Sequence, residues 1–148
     1  MFLYGVPIID ELRKLFNPEQ AKLIPTHVTL CREDEVTDWA RLSLRIRDLA
    51  SVQITMDFGA AVRDGNLVFI PVVRGQEQFD ELRNHLLRDG SSFPRKHSPH
   101  VTIVHPRNGI CTDDVFAEIS AKIRPFTTTL YEIVLIEQCD GGQWSPFA

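Results

Sequence analysis

Apolar positions recur along this chain with two alternating periods, and the switches between them divide it into helices and strands. Ile8, Ile9, Leu12, Leu15 and Phe16 share one helical face. They predict a helix over residues 7–16, opened by Pro7 and stopped at Asn17-Pro18. Phe2 to Val6 ahead of it reads as a strand. Residues 26–32 alternate, with His27, Thr29 and Cys31 on one side and Val28 and Leu30 on the other. Trp39, Leu42, Ile46 and Leu49 form the stripe of a second helix over 36–49, with Asp34 as its cap. Val52, Ile54, Met56 and Phe58 return to the period of two, and Asp64-Gly65-Asn66 turns the chain into a strand over 67–73 that pairs back antiparallel. A helix over 76–87 ends at Asp89-Gly90. A strand over 100–104 follows, then a helix capped at Thr112 that carries Val115, Phe116, Ile119 and Ile123. A last strand over 127–137 turns at Asp140-Gly141-Gly142 into a short terminal strand through Trp144. The order predicts an α+β fold of mostly antiparallel sheet with outer helices.

Composition narrows the class. The chain has 148 residues, 43% hydrophobic and 24% charged, which fits a single globular domain over 1–148 and excludes a disordered tail or a coiled coil. The net charge of -4 argues against a basic nucleic-acid binder that relies on counterion release. Cys31, Cys111 and Cys139 are odd in number and form no Cys-x-x-Cys pair, the pattern of reduced thiols. No apolar run has the length of a membrane span, and the start of the chain lacks the basic segment of a signal peptide. The expected setting is the cytoplasm, with no membrane partner and a monomeric state.

The chemistry sits in two near-identical strands, Thr26-His27-Val28-Thr29-Leu30 and Pro99-His100-Val101-Thr102-Ile103. Residues two apart on a strand point the same way, so each strand presents an imidazole beside a hydroxyl. Two imidazoles near neutral pH supply a base and an acid, and hydroxyls donate to anionic oxygens without adding charge. A phosphodiester needs that set: one proton taken, one proton given, and two non-bridging oxygens held.

With these motifs the sequence resembles the 2H phosphoesterase superfamily, that of 2′-5′ RNA ligases and 2′,3′-cyclic nucleotide phosphodiesterases. Its signature is a pair of His-x-Thr/Ser-aliphatic motifs, and the resemblance extends to Pro99 and to the tail around Val134–Gln138, Gly141-Gly142 and Trp144. The resemblance implies a bilobal fold, with two pseudo-symmetric lobes around a central cleft. It implies catalysis by His27 and His100, phosphate binding by Thr29 and Thr102, and neither metal nor other cofactor. Family members of the ligase type often carry Arg three residues after the second Thr. His105 stands there, which makes Arg32 and Arg107 the candidates for the missing substrate-binding cation.

The implied activity is metal-independent phosphodiester chemistry on a nucleotide or RNA end. It is either hydrolysis of a 2′,3′-cyclic phosphate or the reverse joining of a 2′-5′ bond, with His100 as base and His27 as acid. Two rivals stand beside it: hydrolysis of a cyclic or 2′-5′-linked oligonucleotide signal, and a module that binds a nucleotide or RNA end without turnover. A metal site at His97, His100 and His105 lacks ligand spacing, and Cys31 reads better as a pocket liner than as a nucleophile. Tyr4, Phe58 and Phe93 are the candidates for stacking on a base.

Overall fold

The structure, a computed structural model, describes residues 1–3, 5–49, 51–88 and 95–147. Its elements run α1 (Pro7–Phe16), α2 (Pro18–Leu23), a 3-10 turn (Glu33–Glu35), α3 (Trp39–Asp48), β1 (Ile54–Phe58), β2 (Val62–Asp64), β3 (Leu67–Arg74), α4 (Gln76–Leu86), β4 (His100–Val104), α5 (Asp113–Lys122), β5 (Phe126–Leu130), β6 (Ile136–Glu137) and β7 (Ser145–Pro146). The fold is α+β, with antiparallel pairing throughout the described sheets.

β3 is the hub. β1 and β2 follow one of its edges, broken by a bulge, and β5 pairs with the far side of β1. β4 takes the other edge, because β2 and β4 both register against Val68 and Phe69. Beyond β4 the ladder continues as two isolated bridges. Val28 pairs with Val101, and Phe2 pairs with His27. Ile70, Val101 and Val28 therefore lie in one row across the sheet, all fully buried. Each such side chain contributes roughly 1.5–3 kcal/mol. The His and Thr positions fall on the opposite face.

Local differences from the sequence expectations have identifiable causes. Pro18 ends α1 but opens α2, since a proline at the first helical position loses no hydrogen bond. α3 starts at Trp39 and not at residue 36. Its cap is Asp38, whose carboxylate accepts the Arg41 N–H, and not Asp34. Trp39 is consequently 38% exposed at the helix start and does not join the buried stripe. The expected strand over 26–32 pairs only at His27 and Val28, and that over 2–6, among its described residues, only at Phe2. The expected strand over 127–137 breaks into β5 and β6, because β1 runs out at the Ile54–Leu130 pair and leaves nothing for Tyr131 onward to pair with. Gly75 joins β3 to α4 at φ +91, where an added Cβ would come within 2.3 Å of the Thr55 carbonyl. The helix stop expected at Asp89-Gly90 lies outside the described residues, as do Tyr4 and Phe93.

Candidate active site

The Val28–Val101 pairing fixes the arrangement of the two motifs. Antiparallel neighbours have a local twofold axis between paired residues. Centring two His-Val-Thr triplets on that axis sets His27 opposite Thr102 and Thr29 opposite His100. Direct neighbours in such a pair have Cβ atoms about 4.5–5.5 Å apart, and diagonal ones about 7–8 Å. The two imidazoles thus occupy one diagonal of a four-residue patch and the two hydroxyls the other. All four side chains are half-buried.

The histidines are oriented alike. His27 Nδ1 lies 2.8 Å from the Pro25 carbonyl and His100 Nδ1 lies 2.8 Å from the Ser98 carbonyl. A carbonyl only accepts, so Nδ1 of each ring carries the hydrogen. Nε2 is left as the atom that exchanges a proton. The symmetry ends at the surroundings. Burial, reinforced by the Met1 amino group, Arg13 and His100, holds His27 down at about 4 despite its bond to Pro25. His27 is a neutral ring at neutral pH. His100 packs edge-on against Phe69 with ring centres 5.3 Å apart, and 6.0 Å from His97. His97 in turn donates from Nε2 to the Thr29 carbonyl at 2.9 Å and stacks on Phe79, which joins the two motifs from behind.

Buried polar groups that the sequence reading passed over hold these segments. Glu35 and Arg83 are 0% and 4% exposed and pair at 2.6 Å. Arg83 also donates to the Leu30 and Arg95 carbonyls. Glu35 accepts the backbone N–H groups of Arg32 and Arg95. The pair therefore ties the exit of the first motif to the approach of the second. Burial alone would raise the Glu35 carboxyl, but the bonds from Arg83 and the two backbone N–H groups hold it at about 2. On the other flank, Arg13 of α1 donates to Thr26 Oγ1 and to the Ile24 carbonyl, and Thr26 donates to Asp10. Asn17 accepts the His105 N–H and donates to the Asn108 carbonyl. The only signal for these residues in the sequence was polarity on an otherwise apolar helical face at Arg13 and Arg83.

A cavity of about 590 Å³ opens beside the first motif. His27, Thr29, Arg32 and Arg107 line it; His100 and Thr102 do not. Both candidate arginines thus line the same cavity as His27 and Thr29, although Arg32 also lies 3.7 Å from Asp34. Arg95 pairs with the same Asp34. Cys31 lines the cavity with its thiol pushed up to about 11 by burial, which leaves it protonated. Phe58 is not at the site: it is fully buried and stacks on Phe126 at 4.9 Å. Among the described residues no group of three or more His, Cys, Asp or Glu side chains is placed to hold a metal ion, and no helix is long and apolar enough to cross a membrane.

A family profile described as the 2′-5′ RNA ligase superfamily matches residues 5–142. The chain belongs to the 2′-5′ RNA ligase superfamily. Membership makes it a 2H-type phosphoesterase, as the paired motifs imply. Two solved structures share this superfamily member's fold. One, described as a phosphoesterase, is 17% identical with a TM-score of 0.55, covering 94% of this chain and 90% of that one. The other is Escherichia coli LigT complexed with ATP, 17% identical with a TM-score of 0.52, covering 94% and 89%. No functionally curated protein matches the sequence.

Proposed function

We propose that the chain is a metal-independent phosphodiesterase that opens 2′,3′-cyclic phosphates of nucleotides or RNA-derived ends. The observation that carries this reading is the Val28–Val101 pairing, which puts two imidazoles with free Nε2 atoms on one diagonal and two threonines on the other. A phosphorus above the centre of the patch has a proton acceptor on one side, a proton donor on the other, and hydroxyls for its non-bridging oxygens. The neutral His27 suits the base, which reverses the roles expected from sequence. His27 Nε2 takes a proton from water as the water oxygen bonds to phosphorus. His100 Nε2–H gives its proton to the 2′ oxygen as the P–O2′ bond breaks. Both rings then return to their starting states by exchange with solvent. The same patch serves 2′-5′ joining when a 5′ hydroxyl replaces the water, gives its proton to one imidazole as its oxygen bonds to phosphorus, and the other imidazole protonates the 3′ oxygen as the P–O3′ bond breaks. The capture of LigT with ATP adds support for a nucleotide-sized substrate.

The test is a turnover screen of 2′,3′-cyclic, 2′-5′ and 3′-5′ diesters with chelator present, comparing the native protein with a His27→Ala, His100→Ala double variant. Cyclic phosphates should be opened by the native protein alone and chelator should leave the rate unchanged. Turnover that survives in the folded double variant overturns the mechanism, and activity that vanishes with chelator and returns with zinc or magnesium overturns its metal independence. Binding of every substrate without turnover would instead establish the nucleotide-binding module.

A further inference from the structure

A third imidazole stands beside the paired histidines, and the mechanism does not use it. His97 is half-buried in the segment that leads into β4. Its ring stacks on Phe79 of α4 at 5.9 Å and lies 6.0 Å from the ring of His100. Its Nε2 lies 2.9 Å from the Thr29 carbonyl. A carbonyl only accepts, so His97 carries its hydrogen on Nε2. That tautomer is the opposite of the one in His27 and His100, whose hydrogens sit on Nδ1. Nε2 of His97 is thereby committed to the backbone and is not the atom that exchanges protons at the patch. Burial, with Arg83 and His100 adding to it against the Thr29 bond and Glu35, holds the ring below its ordinary value. His97 is therefore a neutral donor at neutral pH.

Thr29 needs such a tether. Among the described residues, the pairing of its segment reaches only His27 and Val28. Thr29 lies one residue past the last bridge, yet its hydroxyl is one of the two that hold phosphate oxygens in the proposed mechanism. Its carbonyl and its side chain are borne by one residue, so a shift of one carries the other. The segment that bears His97 is itself anchored two residues earlier, where Glu35 accepts the Arg95 N–H and Arg83 donates to the Arg95 carbonyl. We propose that His97 is a positioning residue: its Nε2–H holds the Thr29 carbonyl and so sets where the Thr29 hydroxyl stands over the patch. The proposal rests on the phosphodiesterase reading of the paired motifs and adds to it a residue that acts through another. A donor aimed at charge developing on the phosphate oxygens is sensitive to its placement, and an error of about 1 Å can cost about 10²-fold. That loss falls chiefly on kcat.

Two substitutions separate the donor from the ring. His97→Phe keeps a ring against Phe79 and loses the N–H, whereas His97→Gln places an amide N–H near the position of Nε2. With adenosine 2′,3′-cyclic monophosphate as the probe, His97→Phe should lower kcat about 10–100-fold with KM within about threefold of native. His97→Gln should recover most of that loss. A cycle with Thr29→Val identifies the route: in the Thr29→Val background, His97→Phe should lower kcat by no more than about threefold further. A merely structural contact would lower kcat equally in both backgrounds. Should His97→Phe fail to fold, His97→Asn, whose amide stops near the position of Nδ1, takes its place in each comparison. Native kcat in a folded His97→Phe variant, equal losses in the Phe and Gln variants, or losses that multiply in the double variant each overturn the proposal and leave the phosphodiesterase reading standing. Binding of the cyclic nucleotide without turnover would overturn the phosphodiesterase reading. The same cycle read on dissociation constants would then decide the positioning role, sustained by losses that overlap and overturned by losses that multiply. A native protein that neither binds nor opens any 2′,3′-cyclic phosphate overturns both.

Discussion

His27 and His100 share a backbone hydrogen bond from Nδ1 but differ in surroundings, and that difference has measurable consequences. His27 is held near 4 in the folded protein against an ordinary value of 6.5. Between those values the unfolded chain binds the extra proton and the folded one does not. Stability from this residue is therefore complete above about pH 6.5, falls as pH drops toward about 4, and changes no further below that. The whole effect is at most about 3 kcal/mol. Urea midpoints of the native protein and His27→Gln, measured from pH 7 to pH 4, should show a steeper acid decline in the native protein. Equal slopes would show that His27 is not desolvated. The acid limb of the kcat/KM profile should likewise lie well below 6.5, reported as a value of the coupled pair. Removing either imidazole by alanine should cost about 10²–10⁴-fold in rate. Thr29→Val and Thr102→Val keep the β-branched shape and lose one donor, for about 10–10³-fold. A folded Thr→Val variant with native kcat would remove that threonine from the phosphate grip.

At the scale of elements, the Glu35–Arg83 pair is the fastening between the exit of the first motif, α4 and the approach to β4. Breaking a buried pair on one side leaves an uncompensated charge, so Glu35→Leu or Arg83→Met should cost about 3–5 kcal/mol. Glu35→Leu with Arg83→Met removes both charges and should be clearly less damaging than the sum of the single changes. Thermal melts at pH 7 give the answer, and an additive double variant would refute the coupling. Because the Glu35 carboxyl is held at about 2 against 4.5, its stabilisation is full above about pH 4.5 and is lost as pH falls toward 2. Gly75 is the other element-scale constraint. Its positive φ and the Thr55 carbonyl leave no room for a Cβ. Gly75→Ala should therefore lower stability by about 1–3 kcal/mol or more, read from the denaturation midpoint. An unchanged midpoint would mean that the β3–α4 junction relaxes freely.

For the molecule as a whole, the decisive contact joins residues far apart in the chain: Val28 against Val101, both fully buried, with Ile70 beside them. Val28→Ala and Val101→Ala should each cost about 2–3 kcal/mol from lost burial plus the cavity left behind. Because the two side chains occupy the same row, their effects should be non-additive by at least about 0.5 kcal/mol. Each should also lower kcat in the folded protein, since the pair sets the spacing of the imidazoles. Native kcat in a destabilised Val28→Ala variant would show that the motifs are located by something else.

The sequence by itself determined the family and which side chains each motif presents together. Alternation within His27-Val28-Thr29 and His100-Val101-Thr102 settles which side chains go together, because strand geometry has a period of two wherever the strand is placed. The bounds of β4 and the Thr112 cap of α5 were legible for the same reason, each being a property of a few neighbouring residues. What only the tertiary structure decided depends on partners remote in the chain. The pairing of the motifs across Val28 and Val101 requires the antiparallel alignment of segments from the two halves. The break after Leu130 follows from where β1 ends. Trp39 leaves the core stripe because α3, capped by Asp38, starts three residues later than the periodicity suggests, and that shift puts an aromatic ring at the cavity. Polar residues such as Glu35, Arg83, Arg13 and Asn17 look like solvent-facing positions in a one-dimensional pattern. Their burial becomes intelligible only when the backbone groups they satisfy, on distant loops, have been brought within hydrogen-bonding reach.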